Sequence, residues 1–181
     1  MLVDLLYESH PVINSLVLHH IRHGDITPHG DIAGIVGKTV TFADGQSRTY
    51  DLILMGTGYK LDYPFIDAQE LNWQGADAPQ LYLNVFHPQH RNLFMMGMVE
   101  AAGLGWEGRN EQAEMVALYL RARLDGNPQA QSLEQKATAE ASRNLDGGFD
   151  YLKLARMAYY VHKDSYRKAV NAHITQLKQG V

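Results

Sequence analysis

The chain has 181 residues, of which 45% are hydrophobic and 20% charged, and its formal net charge at pH 7 is −4. This length is enough to bury one sizeable core. The slight acidic excess provides no positive surface for a nucleic-acid backbone or an anionic membrane, so neither partner is expected. The absence of cysteine from the sequence excludes disulfides, thiolate zinc sites and thiolate nucleophiles within this chain.

The N-terminal residues carry no targeting pattern. Asp4 comes early, and neither the basic start nor the small-residue cleavage site of a signal peptide is present. No apolar run approaches the roughly 20 residues that a membrane-spanning helix needs. The sequence therefore predicts a cytoplasmic protein.

The first part of the chain predicts a short helix followed by small antiparallel strands. Apolar residues recur with helical spacing over residues 12–23, and Gly24 is placed to end that helix in a left-handed conformation. Strand-like pieces follow at Ile32–Val36 and Thr39–Phe42. The pair Asp44-Gly45 then predicts a hairpin turn.

Histidines cluster on the first predicted helix. His19 and His23 lie four residues apart on one helical face, a spacing that can hold a metal ion. The glutamate of a metalloprotease helix is missing, and spacing identifies no further ligand. We interpret the cluster as a solvated or hydrogen-bonded polar face, and no metal site is predicted.

An unbroken apolar run at residues 52–55 precedes Gly56, Thr57 and Gly58. The run has the length of a strand and predicts one that is buried on both faces. The two glycines allow the backbone to lie directly against another backbone or a ligand, although the same pattern is typical of a tight turn leaving a sheet. It is not a primary dinucleotide fingerprint, because Leu61 stands where the third glycine would be.

Two more strands are predicted at residues 81–86 and 93–98, joined by a turn-forming cluster. A glycine-rich loop at residues 103–108 follows, and residues 110–124 predict a helix with Asn110 as its N-cap. The predicted apolar stripe of this helix is Ala113, Val116, Ala117, Leu120 and Leu124.

A glycine loop that opens onto a helix N-terminus offers free backbone N–H groups and a favourable place for negative charge. A well-capped connection from strand to helix has the same sequence pattern, so both interpretations of this loop stay open. Beyond it, residues 128–145 predict a polar surface helix. Residues 149–179 are helical in composition, with an apolar stripe that indicates core or subunit packing.

Three of these stretches together resemble one protein family. Gly56-Thr57-Gly58-Tyr59 followed by Pro64-Phe65 resembles a signature of flavin-containing monooxygenases and their Baeyer-Villiger relatives, usually met as Ala-Thr-Gly-Tyr. Residues 81–97 are similar to the strand, loop and Asn-Leu segment of the same family, at the family's spacing from that signature. Residues 110–113 resemble its Glu-x-Gln-Ala-like helix start. The likeness spans about residues 10–125, with weaker similarity to about residue 170.

The resemblance implies an α/β fold, as the C-terminal portion of a flavoprotein with two dinucleotide-binding domains. It divides the chain into residues 1–126, part of the FAD/NAD(P)-binding oxidoreductase domain, and residues 127–181, a helical C-terminal extension. It also implies FAD and NADPH as cofactors, and transfer of one oxygen atom from O2 to a small organic substrate through a flavin C4a-peroxide. The family's two glycine fingerprints are absent from these residues, so we expect the isolated chain to be inactive.

The resemblance also assigns cofactor contacts within the chain. The predicted backbone contacts with FAD are Gly56, Thr57 and Gly58. The residues predicted along the flavin edge are Gly105, Trp106 and Gln112, with Trp106 facing substrate. No residue is predicted as a general acid or base.

Two other interpretations remain. In the first, the chain is a non-catalytic interaction module that dimerises through its C-terminal helix. In the second, it belongs to a different two-domain flavin oxidoreductase. The absence of cysteine argues against flavoproteins that pass electrons through a disulfide. The Gly-Thr-Gly-Tyr motif with Pro64-Phe65 argues against the amine oxidases.

Overall fold

The computed structural model of the protein describes residues 15–149, 151 and 154–179. The described chain divides into two compact units, the first ending at Tyr59 and the second beginning at Lys60. Helices and a small antiparallel sheet make a mixed α/β structure, which confirms the predicted fold class. Among the described residues, no helix is both long and apolar enough to cross a membrane.

The first unit begins with helix α1, Ser15–His23. The left-handed Gly24 that follows, with a φ of 82°, confirms the predicted helix end. Residues 12–14 of the predicted helix lie outside the described residues.

The sheet of the first unit contains three antiparallel strands in the order β1, β2, β3. Strands β1 (Ile32–Val36) and β2 (Thr39–Phe42) have the predicted bounds, and β3 is Ser47–Thr49. Their register pairs Ile35 with Val40 and Thr41 with Ser47. Strand β2 buries Val40 and Phe42, whereas all five residues of β1 are exposed.

The strand predicted at residues 52–55 is wrong. These residues have no regular secondary structure, and Leu52, Leu54 and Met55 are 71%, 83% and 73% exposed. A strand forms only when its backbone N–H and C=O groups find a partner, and none of the described strands pairs with this run. In this structure the apolar residues 52–55 therefore form an exposed apolar surface and not a strand of the sheet.

The described part of the second unit holds three α-helices around one core. Helix α2 (Gly105–Leu124) packs against both α3 (Pro128–Ala139) and α4 (Lys163–Lys178), and a 3-10 turn occupies Ala155–Met157. The largest side chains that are fully buried are Tyr82, Tyr119, Tyr166, Leu83, Leu104 and Met115. The apolar stripe predicted for the tail is confirmed in α4, where Tyr166, Val170, Ile174 and Leu177 are buried.

The strands predicted at residues 81–86 and 93–98 are also wrong. Only single bridges form, Tyr82 with Phe86 and Phe86 with Phe94. Leu83 and Asn84 adopt left-handed φ values of 53° and 57°, which fold the segment back on itself. Residues 81–86 are apolar because this turn is buried in the core, and not because they form a strand.

Helix α2 differs from its prediction in both its start and its buried face. It begins at Gly105, so Asn110 lies inside the helix and is not its N-cap. Its buried residues are Gly108, Glu111, Gln112, Met115, Tyr119 and Ala122, whereas Leu124 of the predicted stripe is 84% exposed. The apolar periodicity predicted the wrong buried face of α2, because the true face includes the polar residues Glu111 and Gln112.

Helix α3 ends at Ala139, earlier than the predicted residue 145, and its N-terminus is capped by Asn127, whose side chain accepts from the N–H of Gln129. The predicted domain boundary at residue 126 is not tested by these observations and stays a prediction. The helices on either side of it, α2 and α4, share one core.

Candidate functional site

The predicted FAD-contacting residues of the first unit form an exposed stretch of backbone. Gly56, Thr57 and Gly58 are all exposed and lie outside regular secondary structure. A Cβ atom added at either glycine would meet nothing within 4 Å. Of these two glycines only Gly58 has a positive φ, 81°, so the backbone conformation at Gly56 does not require glycine. The open backbone permits the close approach of another group.

A shallow, largely apolar cavity of about 310 Å³ lies in the same unit. The ring of His29 stacks on Phe42 at 4.1 Å between centroids, and Tyr50 lies edge-on to Phe42 at 6.5 Å. Leu52 and Ile53 also line the cavity, together with Thr27, Gly30, Ile32 and Val40. No local sequence pattern reveals this cavity, because the residues that line it come from three separate segments.

The predicted flavin-edge residues belong to the second unit, at the start of α2. Gly103 and Gly105 have φ values of 73° and 52°, on either side of Leu104, which is buried. No side-chain hydrogen bond caps this helix. The N–H groups of its first turn are therefore turned toward any acceptor that approaches the helix end, where the helix dipole favours negative charge.

Trp106 and Arg109 form the exposed part of this helix end. Trp106 is 86% exposed, and the guanidinium carbon of Arg109 lies 5.9 Å from the centroid of its ring. Arg109 also donates to the carbonyl oxygens of Gly105 (2.7 Å) and Val99 (3.3 Å) and forms a 3.5 Å ion pair with Glu100. Arg109 was not among the predicted site residues, although its spacing of three residues from Trp106 places the two on one helical face.

Gln112 lies beneath this surface and is fully buried. Its Oε1 accepts from the N–H of Gly97 at 3.0 Å, and its Nε2 donates to the hydroxyl of Tyr166 at 2.7 Å. That hydroxyl donates in turn to the carbonyl oxygen of Leu83 at 2.9 Å. The amide of Gln112 is thus bonded inside the protein at both ends, and it fixes the segment containing Gly97 against α2 and α4.

Carboxylates of α2 meet cations of α4 along one edge of the helix pair. Arg167 donates from Nε to both carboxylate oxygens of Glu111, at 2.9 and 3.1 Å, and from Nη2 to Glu107 at 2.8 Å. Hydrogen bonding to Glu111 raises the pKa of Arg167 above its ordinary value. Lys178 pairs with Glu114 at 2.6 Å further along. These contacts hold α4, and with it Tyr166, against α2.

A buried histidine lies on the opposite side of α4. His173 Nε2 and the hydroxyl of Tyr82 are 2.8 Å apart, and both residues are buried. Burial, followed by the nearby positive charges of Lys136 and Arg143, lowers the pKa of His173 to about 4. Burial likewise raises the pKa of Tyr82. The pair is therefore neutral at pH 7.

The two histidines considered as metal ligands in α1 stack with ring centroids 4.1 Å apart. His23 Nδ1 lies 2.8 Å from the carbonyl oxygen of His19. Within the described part of the chain, no group of three or more His, Asp or Glu side chains is arranged to hold a metal ion.

Comparison with known proteins shows the same family over nearly the whole chain. The family described as flavin-binding monooxygenase-like matches residues 3–177. Flavin-containing monooxygenase 1 of Mus musculus is 22% identical over 165 residues, which is 90% of this chain and 31% of the relative. The 4-hydroxybenzoate brominase (decarboxylating) of Pseudoalteromonas luteoviolacea is 29% identical over 124 residues, 67% of this chain and 22% of the relative.

A shorter stretch is more closely similar to a plant protein. A probable indole-3-pyruvate monooxygenase of Arabidopsis thaliana is 43% identical over 51 residues, 28% of this chain and 13% of the relative. The chain spans less than a third of the length of each of these three relatives. No solved structure matches it significantly. Because the family match extends far beyond half of the sequence, the chain belongs to the flavin-binding monooxygenase-like family.

Proposed function

We propose that this chain is the C-terminal part of a monooxygenase that uses FAD and NADPH to transfer one oxygen atom from O2 to a small organic substrate. The observation that carries the proposal is the uncapped, glycine-flanked N-terminus of α2 with an exposed Trp106 beside it, in a chain of this family. The FAD and NADPH fingerprints are not among these residues, so we assign the complete activity to a longer polypeptide or a complex. A cytoplasmic location is part of the same proposal.

The described residues fit a flavin in two places. The exposed backbone at Gly56, Thr57 and Gly58 has no side chain in the way and would contact FAD directly. The first turn of α2, from Gly105, would present N–H groups to the oxygen atoms of the flavin ring. When bound, the flavin supplies the activation of O2, and the protein supplies positioning and electrostatics.

The residues of this chain then have separate tasks. The N-terminus of α2 stabilises negative charge on a bound group through its free N–H groups and helix dipole. Trp106 offers an exposed aromatic face that excludes water from an apolar substrate, and Arg109 holds that face in place. Gln112 is a positioning residue, because its buried amide bonds the backbone of Gly97 and the hydroxyl of Tyr166 and so holds α2 in place.

The Gly56→Leu variant of the complete protein tests the backbone contact. Gly56 has no positive φ and no atom near its Cβ position, so leucine there is unstrained in this unit and obstructs only a group that approaches from outside. We expect flavin content, measured as flavin absorbance per polypeptide after purification, to fall at least about tenfold because the side chain blocks the approach of the cofactor. Gly58→Leu is less informative, because its φ of 81° strains any side chain.

Gly30→Leu is the matched control for this experiment. Gly30 is an exposed glycine of the same unit, also without a positive φ and with nothing within 4 Å of its Cβ position. It is expected to retain flavin as the unmodified protein does. Equal flavin content in the Gly56→Leu and Gly30→Leu proteins would overturn the assignment of residues 56–58 to the cofactor.

A further inference from the structure

The first unit buries little of its own apolar surface. Among its described residues, Val40 and Phe42 are the only apolar side chains that are buried. In the second unit, by contrast, buried apolar residues share one core cluster between Tyr82 and Leu177. Exposed apolar side chains of the first unit include Leu18, Ile35, Val36, Leu52, Leu54, Met55 and Tyr59. Exposed apolar surface on this scale is typical of a region that another segment of polypeptide covers.

The backbone of the apolar run, residues 52–55, is as open as its side chains. Every residue from Asp51 to Lys60 is exposed. Within the described ranges, no backbone–backbone hydrogen bond involves residues 51–59, although the N–H of Tyr50 still donates to the carbonyl oxygen of Lys38 at 2.9 Å. The run therefore presents unpaired N–H and C=O groups together with four successive apolar side chains.

These open backbone groups restrict what can cover the run. A partner that buries the four side chains also removes the N–H and C=O groups between them from water, and those groups then need hydrogen-bond partners. A helix supplies none, because its own backbone groups are bonded within it. The edge of a β-sheet supplies a row of them. Since successive side chains of a strand point to opposite faces, four apolar residues in a row also require a sheet that is covered on both faces.

A second copy of this chain does not meet these requirements. Two identical runs paired with each other would form a two-stranded ribbon, which is marginally stable at best in water. Strand β1 of a second copy offers an edge, but all five of its residues are exposed, so its sheet is not covered on both faces. The relatives, in contrast, are more than three times as long as the part that each shares with this chain. Most of their polypeptide is therefore left to supply such a sheet.

We propose that residues 52–55 are a docking surface for the rest of the complete protein, and that they form there a strand of a β-sheet supplied by that remaining polypeptide. The inference rests on the proposed function in one respect, namely that the complete protein contains more chain than these residues. It explains why a run with the pattern of a buried strand is exposed and unpaired here. In this chain alone the surface stays uncovered.

Oxidation of Met55 tests whether its side chain becomes buried. Dilute hydrogen peroxide converts an accessible thioether to the sulfoxide, and mass spectrometry measures the rate at each methionine. Met55 is 73% exposed in this chain, so we expect it to react at least about tenfold more slowly in the complete protein than in the dilute chain alone. Met115 is fully buried and is the control, because it should react slowly in both samples.

Proline substitutions test whether the backbone of the run becomes paired. Proline lacks an N–H, and successive N–H groups of a strand point to opposite edges, so Leu54→Pro or Met55→Pro must remove a bond of the sheet. The matched controls are Leu54→Ala and Met55→Ala, which shorten the same side chains but keep the N–H. In the complete protein, at least one proline variant should have a thermal midpoint about 5 °C or more below its alanine control. In this chain alone, each pair should have nearly equal midpoints, because these N–H groups have no backbone acceptor among the described residues.

Three results would overturn the proposal. The first is equal oxidation of Met55 in the two samples, which also decides the matter if the proline variants do not fold. The second is protection of Met55 that rises with the concentration of the complete protein, because a second copy would then be the partner. The third is equal midpoints for the proline and alanine variants of the complete protein. Flavin content is measured on the same samples, and a protected Met55 in a complete protein without flavin would support the docking surface while contradicting the proposed function.

Discussion

Burial of a single histidine makes the stability of the second unit depend on pH. His173 has a pKa of about 4 in the folded chain, against 6.5 for an ordinary histidine. Below pH 6.5 the unfolded chain binds a proton that the folded chain does not accept until about pH 4. The stabilisation is therefore complete above pH 6.5 and is lost as the pH falls from 6.5 toward 4.

His173→Gln is expected to remove this part of the acid sensitivity. Glutamine keeps an acceptor for the hydroxyl of Tyr82 but does not titrate, so the loss of up to about 3 kcal/mol between pH 6.5 and 4 should be much smaller. Urea unfolding of the full chain across this pH range measures the difference. His19→Gln is the control, because it changes an exposed histidine and should leave the pH dependence of stability unchanged. An unchanged pH dependence in His173→Gln would contradict the role of the buried ring.

Prediction at the scale of the single residue was uneven. The family resemblance pointed to Trp106 and residues 56–58, and the structure shows that these residues are exposed. Their contact with flavin stays a prediction. Arg109 belongs to no motif, and the family-like segment 81–97 contains His87 without assigning it a role. The contacts of both residues are made with carbonyl and amide groups that only the folded backbone places. The buried state of Gln112 was hidden for a related reason, because its partners are far away in the chain.

At the scale of elements, the α2–α4 interface depends on one buried carboxylate. Glu111 is 8% exposed, and its charge is compensated by Arg167 and by a 3.2 Å hydrogen bond from Asn171. Removing the partner of a buried charge costs far more than removing one partner of an exposed pair. The two cations that α4 offers to α2 should therefore differ greatly in their contribution.

Arg167→Met is expected to lower the thermal midpoint of the full chain markedly, because it leaves Glu111 buried without its cation. Lys178→Met is the matched change, since Lys178 pairs with Glu114 where both side chains are largely exposed, and it should shift the midpoint little. Thermal unfolding followed by circular dichroism compares them. Similar midpoints for the two variants would show that the charge of Glu111 does not need Arg167.

Elements determined by local sequence were predicted correctly, and those determined by distant contacts were not. Strands β1 and β2 have their predicted bounds because the turns at Gly37 and Gly45 fix a hairpin over a few residues. The apolar run at 81–86 satisfies the same pattern rules, yet it turns at Leu83 and Asn84 because the hydroxyl of Tyr166 bonds Leu83 from across the core. No pattern over neighbouring residues contains that contact.

At the scale of the whole molecule, the first unit exposes a continuous apolar run. Leu52, Leu54 and Met55 extend to solvent in succession, and Ile35 and Val36 of β1 are also exposed. Contiguous apolar surface of this kind promotes association, unlike single exposed apolar side chains. We therefore predict that the chain associates with itself through this run.

Leu54→Lys should weaken that association. Sedimentation velocity of the full chain is expected to show an apparent mass that rises with concentration, and the substitution should reduce the rise by placing a charge within the apolar run. Leu124→Lys is the control, because Leu124 is 84% exposed, against 83% for Leu54, but follows exposed polar residues at the end of α2. Equal effects of the two variants would contradict a role for the run.

Hydrogen bonds link Gly97 to Gln112 and Gln112 to Tyr166. The exchange of the Gly97 amide proton therefore depends on whether the C-terminal helix α4 is docked. The amide proton of Gly97 is protected from exchange with solvent only while Gln112 accepts it, and the amide of Gln112 is held in turn by the hydroxyl of Tyr166 on α4. Detachment of the C-terminal helix therefore opens a local exchange path at Gly97 without global unfolding. The hydrogen-exchange rate of the Gly97 amide therefore measures how often α4 detaches from α2.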